Sequence, residues 1–129
     1  MSALVKSPTE GDVVKFDLEG NYTREVVTLL AGTDYKIGSV LGTITASGKY
    51  TLSPEGETQD IEGAEDVSGV LIEAVDASEE DAPGVIIKRG PAIVAEDALV
   101  YDASVDDDPK KAAKRNALVA LGIVSRVSA

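Results

Sequence analysis

Residues 69–101 read GVLIEAVDASEEDAPGVIIKRGPAIVAEDALVY and contain three short aliphatic runs. The runs are Val70–Ile72, Val85–Ile87 and Ala92–Val94, separated by the acidic segment Asp76–Gly84 and by Arg89–Pro91. Short β-branched runs bounded by Gly, Pro and Asp are typical of buried strands. We therefore predict three strands joined as a meander, around which a small β-rich domain is built. The stretch contains no arrangement of residues suited to catalysis.

The composition of the chain limits its chemistry. At 129 residues it is long enough for one domain with an arm. It has no Cys and no His, which excludes disulfides, thiolate metal sites and histidine-dependent triads. No apolar run approaches the roughly 18 residues of a membrane span, and the first ten residues lack a signal-peptide hydrophobic region. We expect a soluble protein made without Sec-type export, with no cofactor and no small-molecule substrate.

Charge is distributed unevenly along the chain, whose net charge is −11. Eleven acidic residues and no basic one lie between Lys49 and Lys88, whereas five basic residues and no acidic one follow Asp108. Such an acidic surface repels nucleic acid. The acidic interval is either a solvated face or one half of a complementary contact between subunits.

The N-terminal residues lack a sustained hydrophobic period. We interpret Met1–Gly11 as a flexible arm and Asp12–Leu18 as a strand that forms when a partner pairs with it, a disordered tail being the alternative. Residues 1–22 are thus treated as an arm and residues 23–129 as the domain.

The middle of the chain predicts further short strands. Thr23–Leu30 is β-rich, Gly32–Asp34 supplies a turn, and glycines 38 and 42 interrupt the strand pattern of residues 35–45. Glycine inside a strand predicts a bulge or a close backbone approach. Another strand is expected at Lys49–Leu52, followed by an acidic surface loop at Ser53–Asp66.

A helix is predicted near the C-terminus. Asp107 or Asp108 can cap it, Pro109 suits its first position, and Gly122 ends it. Its apolar face is predicted to comprise Ala113, Asn116, Ala117, Ala120 and Leu121, with Lys110, Lys111, Lys114 and Arg115 mostly on the other face. Ile123–Val124 is expected to form a terminal strand.

Candidate active-site chemistry finds little support. The acidic clusters at residues 65–66, 79–81 and 106–108 lack calcium-loop spacing and are better explained as turns and a helix cap. No GxxxxGK[ST] phosphate loop is present, and paired carboxylates are expected by chance in so acidic a chain. Lys88–Gly90 is interpreted as a structural turn. We therefore expect the protein not to be an enzyme.

Four blocks of sequence together resemble the lambda-type bacteriophage head decoration proteins. They are Tyr22–Glu25 with Val27–Leu29, Ile37–Gly42 with Ile44–Tyr50, Gly69–Ala77 with Val85–Gly90, and the Pro109 helix with Ala120–Ile123. The resemblance covers roughly residues 22–124. It implies a mostly β (α+β) domain of β-clip or β-tulip type, with one C-terminal helix and a flexible N-terminal arm.

The resemblance also implies a function and partners. Such proteins form homotrimers on the outer surface of the mature capsid in the virion. There they bind the major capsid (coat) protein and stabilise the head against packaged DNA, with no nucleic acid or membrane partner. The N-terminal segment typically pairs with a coat strand, which assigns docking contacts to Val13, Val14, Phe16 and Leu18. The charge polarity of the chain, rather than the resemblance, assigns a second contact, to a neighbouring subunit or the coat, to Lys110, Lys111, Lys114 and Arg115.

Two other interpretations stay open. Gly38–Leu41 also resembles the entry of β-clip or lipoyl-like binding modules, in which Lys49 would be the carrier lysine. A carboxylate-based hydrolase would instead need a concave site with an acid of raised pKa.

Overall fold

A computed structural model describes residues 10–127 of the chain. In order, these form α1 (Glu10–Val13), β1 (Val14–Asp17), α2 (Gly20–Thr23), β2 (Arg24–Leu29), β3 (Thr33–Tyr35), β4 (Val40–Thr43), β5 (Tyr50–Leu52), β6 (Val67–Leu71), β7 (Val75–Ala77), β8 (Ala82–Ile87), β9 (Ala92–Ala95), a 3₁₀ turn (Glu96–Ala98), α3 (Asp108–Ala120) and β10 (Ile123–Arg126). The predicted mostly β class with a C-terminal helix is confirmed. Within residues 10–127 no helix is long and apolar enough to cross a membrane.

Strands β2, β5, β4, β6 and β8 close into a barrel in that order. β8 closes it by pairing antiparallel with both β2 and β6. The closure rests on one residue pair between β2 and β5, Leu29 opposite Tyr50. The β1-β9-β10 and β3-β7 sheets lie outside the barrel, and their outer strands can accept a partner strand.

β9 lies outside the barrel, so the predicted meander is wrong at its third strand. β6 and β8 are neighbours, but β9 is the centre of a separate sheet of order β1-β9-β10. The segment after β8 forms no hairpin because its amides are used elsewhere. Lys88 N donates to Thr23 O at 2.8 Å, and Gly90 N donates to Leu121 O at 2.8 Å.

Two segments predicted as turns contain strands. β3 begins inside the predicted turn Gly32–Asp34, and the segment Asp76–Gly84 holds parts of β7 and β8. β3 and β7 pair with each other, with Thr33 opposite Ala77. Polar residues such as Asp34 and Asp76 suggested loops, but the ladder satisfies their backbone groups.

Neighbouring residues of the barrel strands face two different cores. The barrel core comprises Leu29, Tyr35, Leu41, Tyr50, Leu71, Ala77 and Ile86. The outer core, between the barrel wall, the β1-β9-β10 sheet and α3, includes Val13, Val40, Val70, Ile87, Val94, Leu118 and Ile123. Because successive strand residues point to opposite faces, strands buried on both faces read as continuous apolar runs. This explains the aliphatic runs of β4, β6 and β8.

The glycines of the Gly38–Gly42 block lie where backbones touch, as predicted. A Cβ on Gly42 would lie 1.9 Å from Ala64 O, and one on Gly38 would lie 2.2 Å from Ala98 O. The pairing of β4 with β6 also shifts register between Leu41 and Gly42. Both the predicted bulge and the predicted close approach are confirmed.

Helix α3 has the predicted ends and part of the predicted face, since Ala117 and Leu121 pack against the outer core. Asp107 caps it by accepting from Lys110 N, and Gly122 follows with φ +84°. Leu118 and Lys114 are its buried residues, whereas Ala113, Asn116 and Ala120 are exposed. The large Leu118 side chain outweighs a stripe of alanines because it buries more apolar area. A lysine can lie on the buried face when its apolar stem packs and its ammonium is hydrogen-bonded.

Candidate docking site

The β1-β9-β10 sheet has two edges, β1 and β10, with which no other strand of residues 10–127 pairs. β1 runs antiparallel to β9 and β10 runs parallel to it. An unpaired edge presents N–H and C=O groups to which another chain can add a strand. The sheet is therefore the first candidate for contact with a partner.

The outward face of this sheet carries an exposed apolar row. The register places Phe16 and Val124 on either side of Ile93. Phe16 is 46% exposed and Val124 38% exposed, whereas the adjacent row contains the buried Ala92 and Ile123. One face of the sheet thus packs on the outer core and the other is apolar toward solvent, a property typical of interaction surfaces.

The four predicted arm contacts divide into two pairs. Val13 is fully buried in the outer core, and Val14 packs against that core. Phe16 and Leu18 are exposed, Leu18 by 62%. The predicted strand is formed by Val14–Asp17, which pairs with β9 of its own chain. Met1–Thr9 of the predicted arm lie outside the described residues.

Asp17 fixes the end of β1 to the chain that follows. Its carboxylate accepts from Thr23 Oγ1 at 2.8 Å and from Arg24 Nε at 2.9 Å. The hydrogen bond from Arg24 lowers the pKa of Asp17, although partial burial opposes the shift. These hydrogen bonds orient the segment that carries Phe16 and Leu18.

Arg89 fixes α2 in the same region. Its guanidinium donates to the carbonyl of Tyr22 and to the carboxylate of Glu25, the latter at 2.6 Å, and this hydrogen bond lowers the pKa of Glu25. The Tyr22 ring stays 55% exposed. Arg89 therefore has the structural role predicted for Lys88–Gly90, and Tyr22 adds a third exposed large side chain near Phe16 and Leu18 in sequence.

The four basic side chains of α3 differ in their surroundings. Lys110 Nζ lies 3.0 Å from Asp106, and Arg115 Nε lies 3.2 Å from Glu96. Lys111 Nζ lies 5.7 Å from the centre of the Tyr101 ring, and no acidic partner is recorded for it within residues 10–127. These side chains are not a uniform basic face.

Lys114 is buried and closes the base of the acidic loop. Its ammonium donates to Ser53 Oγ at 2.9 Å, to Pro54 O at 2.6 Å and to Glu65 O at 2.7 Å. Burial lowers the pKa of Lys114, against the attraction of nearby carboxylates. Lys114 therefore acts inside the molecule, and its predicted position on the solvated helix face is wrong.

A groove of about 610 Å³ runs between α3 and this loop. Its wall on α3 combines small and apolar side chains, including Pro109, Ala113 and Ala117, with those of Lys110 and Lys114. Glu55 and Asp66 line the opposite side. Nothing in the sequence pattern separated this groove from an ordinary alanine-rich helix face.

The sequence model of the bacteriophage lambda head decoration protein D family matches residues 3–123. The chain belongs to this family. Among individually curated proteins, no significant match is found. As a head decoration protein the chain has a structural role on the phage capsid, and the resemblance drawn from residues 22–124 is confirmed.

The structure gives little support to the two alternative interpretations, a lipoyl-like carrier module and a carboxylate-based hydrolase. Lys49, the candidate carrier lysine, is ion-paired with Asp81 at 2.6 Å. Among the carboxyl groups with a shifted pKa, including those of Asp76 and Asp106, the pKa is lowered rather than raised. Within residues 10–127, no three acidic side chains gather into a cluster that could hold a metal ion.

Sequence reasoning missed several exposed residues of this head decoration protein. Val124 and Val127 were assigned no role, although they are 38% and 72% exposed. A terminal strand was visible, but its outward face depends on the pairing of β10 with β9. That pairing joins distant parts of the sequence and leaves no local signal.

Proposed function

We propose that the protein binds the outer surface of the mature phage capsid as a homotrimer and stabilises the head against packaged DNA. Family membership supports the capsid role. The single observation that carries the docking proposal is the exposed apolar side of β1, which lies at an unpaired sheet edge. The coat protein is the proposed partner, reached through residues 1–22.

The exposed side chains suit a strand-adding contact. Phe16 and Leu18 alternate along the chain with Asp17, whose side chain is tied to Arg24. A coat strand beside β1 would gain backbone hydrogen bonds from the edge and apolar contact from these two residues. Val13 and Val14 support the strand from the core side.

Trimer formation supplies the strength of attachment. A trimer that engages several coat sites at once binds more tightly than one subunit, because the later contacts are intramolecular. Many modest contacts spread over neighbouring coat subunits then oppose their separation.

The contact proposed for the helix rests on its exterior basic residues. Lys111 is the best candidate, because Lys110 and Arg115 are ion-paired within the chain. Lys114 contributes only by holding the loop. Changing Lys111 and Lys110 to Gln should weaken the salt dependence of trimer formation or capsid binding if this contact exists.

The decisive experiment measures binding to expanded, undecorated heads and to unexpanded heads. We expect the wild-type protein to bind expanded heads selectively. Phe16→Ser with Leu18→Ser should lower that affinity at least about tenfold, since burial of each apolar side chain is worth about 1.5–3 kcal/mol. Val119→Ser, at another exposed valine (54% exposed), is the matched control. Equal binding by the double variant and the control would exclude the β1 contact, and no binding by the wild type would exclude the function.

A further inference from the structure

The groove beside α3 is apolar on one side and acidic on the other. Ala113 and Ala120 on the helix side are exposed. Three carboxylates, those of Glu55, Glu65 and Asp66, line the groove and attract the buried ammonium of Lys114. Lys110, which also lines the groove, is ion-paired with Asp106, so the carboxylates outnumber the remaining cation. The groove therefore suits an occupant with small aliphatic side chains beside a positive charge.

The last described residues of the chain combine aliphatic side chains with a positive charge. Val124 and Arg126 lie on the outward face of β10, and Val127 follows with 72% exposure. Arg126 has no recorded acidic partner within the described range. A cation and an exposed valine on one face of β10 complement the groove in both charge and polarity.

This tail is held in the sheet of its own chain. β10 is fixed along β9, with Arg126 opposite Ala95. In an extended strand, side chains two residues apart, such as Val124 and Arg126, point the same way about 7 Å apart. The tail thus projects as a preformed edge that another molecule can receive.

We propose that the tail of one copy, Val124–Val127, docks in the α3 groove of a second copy, with Arg126 facing Glu55 and Asp66. The inference rests on the trimer part of the proposed function. Tail and groove are different surfaces, so the contact is head-to-tail, and such a contact closes into a ring when the rotation between copies permits. Leu121 lines the groove two residues before β10 begins, so the groove and the tail are adjacent in sequence.

Charge reversal with rescue tests this contact. Sedimentation equilibrium of the full chain should show a trimer, and Arg126→Glu or Asp66→Arg should raise its dissociation concentration at least about tenfold. Arg126→Glu combined with Asp66→Arg should restore most of the loss. A wild-type monomer, or single variants that assemble like the wild type, would overturn the inference.

A steric pair gives an independent measurement. Ala113→Trp fills the groove and should dissociate the trimer, whereas Asn116→Trp, exposed on the same helix but outside the groove, should not. Unchanged thermal unfolding of each variant at low concentration shows that the fold is kept. Equal assembly by both Trp variants would contradict the docking.

Head binding separates this inference from the proposed function. Variants that assemble normally but bind expanded heads leave the function intact and exclude the tail contact. A tail-dependent trimer that does not bind heads leaves the contact intact and excludes the function.

Discussion

At the scale of single residues, the ion pair of Asp17 with Arg24 fixes the end of β1. Its folded pKa is lowered by Arg24 from an ordinary value of 3.8. A carboxyl group with a lowered folded pKa stabilises the protein fully above its unfolded pKa and loses that contribution as pH falls through the folded pKa. Asp17→Asn should therefore cost about 1–3 kcal/mol at neutral pH, and the difference from wild type should shrink between about pH 5 and pH 2.

Urea unfolding as a function of pH measures this effect. Asp34→Asn is the control, because its ion pair with Lys36 is exposed on both sides and such pairs contribute about 0–1 kcal/mol. A gap between wild type and Asp17→Asn that persists unchanged at pH 2 would show that the Asp17 carboxylate is not the cause.

At the scale of elements, Lys114 joins α3 to both ends of the acidic loop. Lys114→Met keeps the apolar stem but leaves the oxygens of Ser53, Pro54 and Glu65 without their donor. We expect a loss of about 1–3 kcal/mol in unfolding free energy. If that loss appears as loop opening, a glutamate-specific protease should cleave residues 55–62 about tenfold faster.

Lys110→Met is the matched control, since Lys110 lies on the same helix and its ion-pair partners within residues 10–127, Asp106 and Asp107, are exposed. Its cleavage rate should stay near that of the wild type. If both variants were cleaved equally fast, the loop would be held by something other than the buried ammonium.

The same helix shows what sequence can and cannot predict about an element. Its ends depend on local chemistry, the Asp107 cap and the Gly122 conformation, and both were predictable. Its buried face depends on what lies beneath it. Lys114 reads as a surface residue until the oxygens of Ser53 and Glu65, some 50 to 60 residues away in the chain, are brought to its ammonium.

At the scale of the whole molecule, the two cores share the barrel wall. Ile86 faces the barrel core and Ile87 the outer core, although they are neighbours in β8. We therefore expect one cooperative transition, with the near-UV signal of Tyr35 and Tyr50 and the far-UV helical signal of α3 lost together. Ile86→Val and Ile87→Val should each cost about 0.5–1.5 kcal/mol.

Both variants should shift the two signals equally. Separate midpoints, or a helical signal moved by Ile87→Val alone, would mean that the outer core unfolds independently of the barrel.

Strand partners were the least predictable feature at this scale. Aliphatic runs located β6 and β8, which are buried on both faces, and β9, which packs on the outer core and is apolar on its outward face. They could not show that β9 pairs with β1 and β10, from the two ends of the chain, since both arrangements bury the same runs. The exposed row of Phe16 and Val124 follows from that pairing, so the sequence alone could not predict this surface.

The sheet around β9 also brings the start of β1 close to the end of β10. β1 begins beside Val94 and β10 ends beside Ala95. Two strand spacings, roughly 10 Å, separate these points across the sheet. The path from β1 to β10 thus nearly closes on itself, and a short linker could join the two strands while the chain is opened in the exposed loop near Glu57. A molecule attached at the start of β1 would emerge close to one attached at the end of β10, whereas one inserted at Glu57 would emerge from the acidic loop.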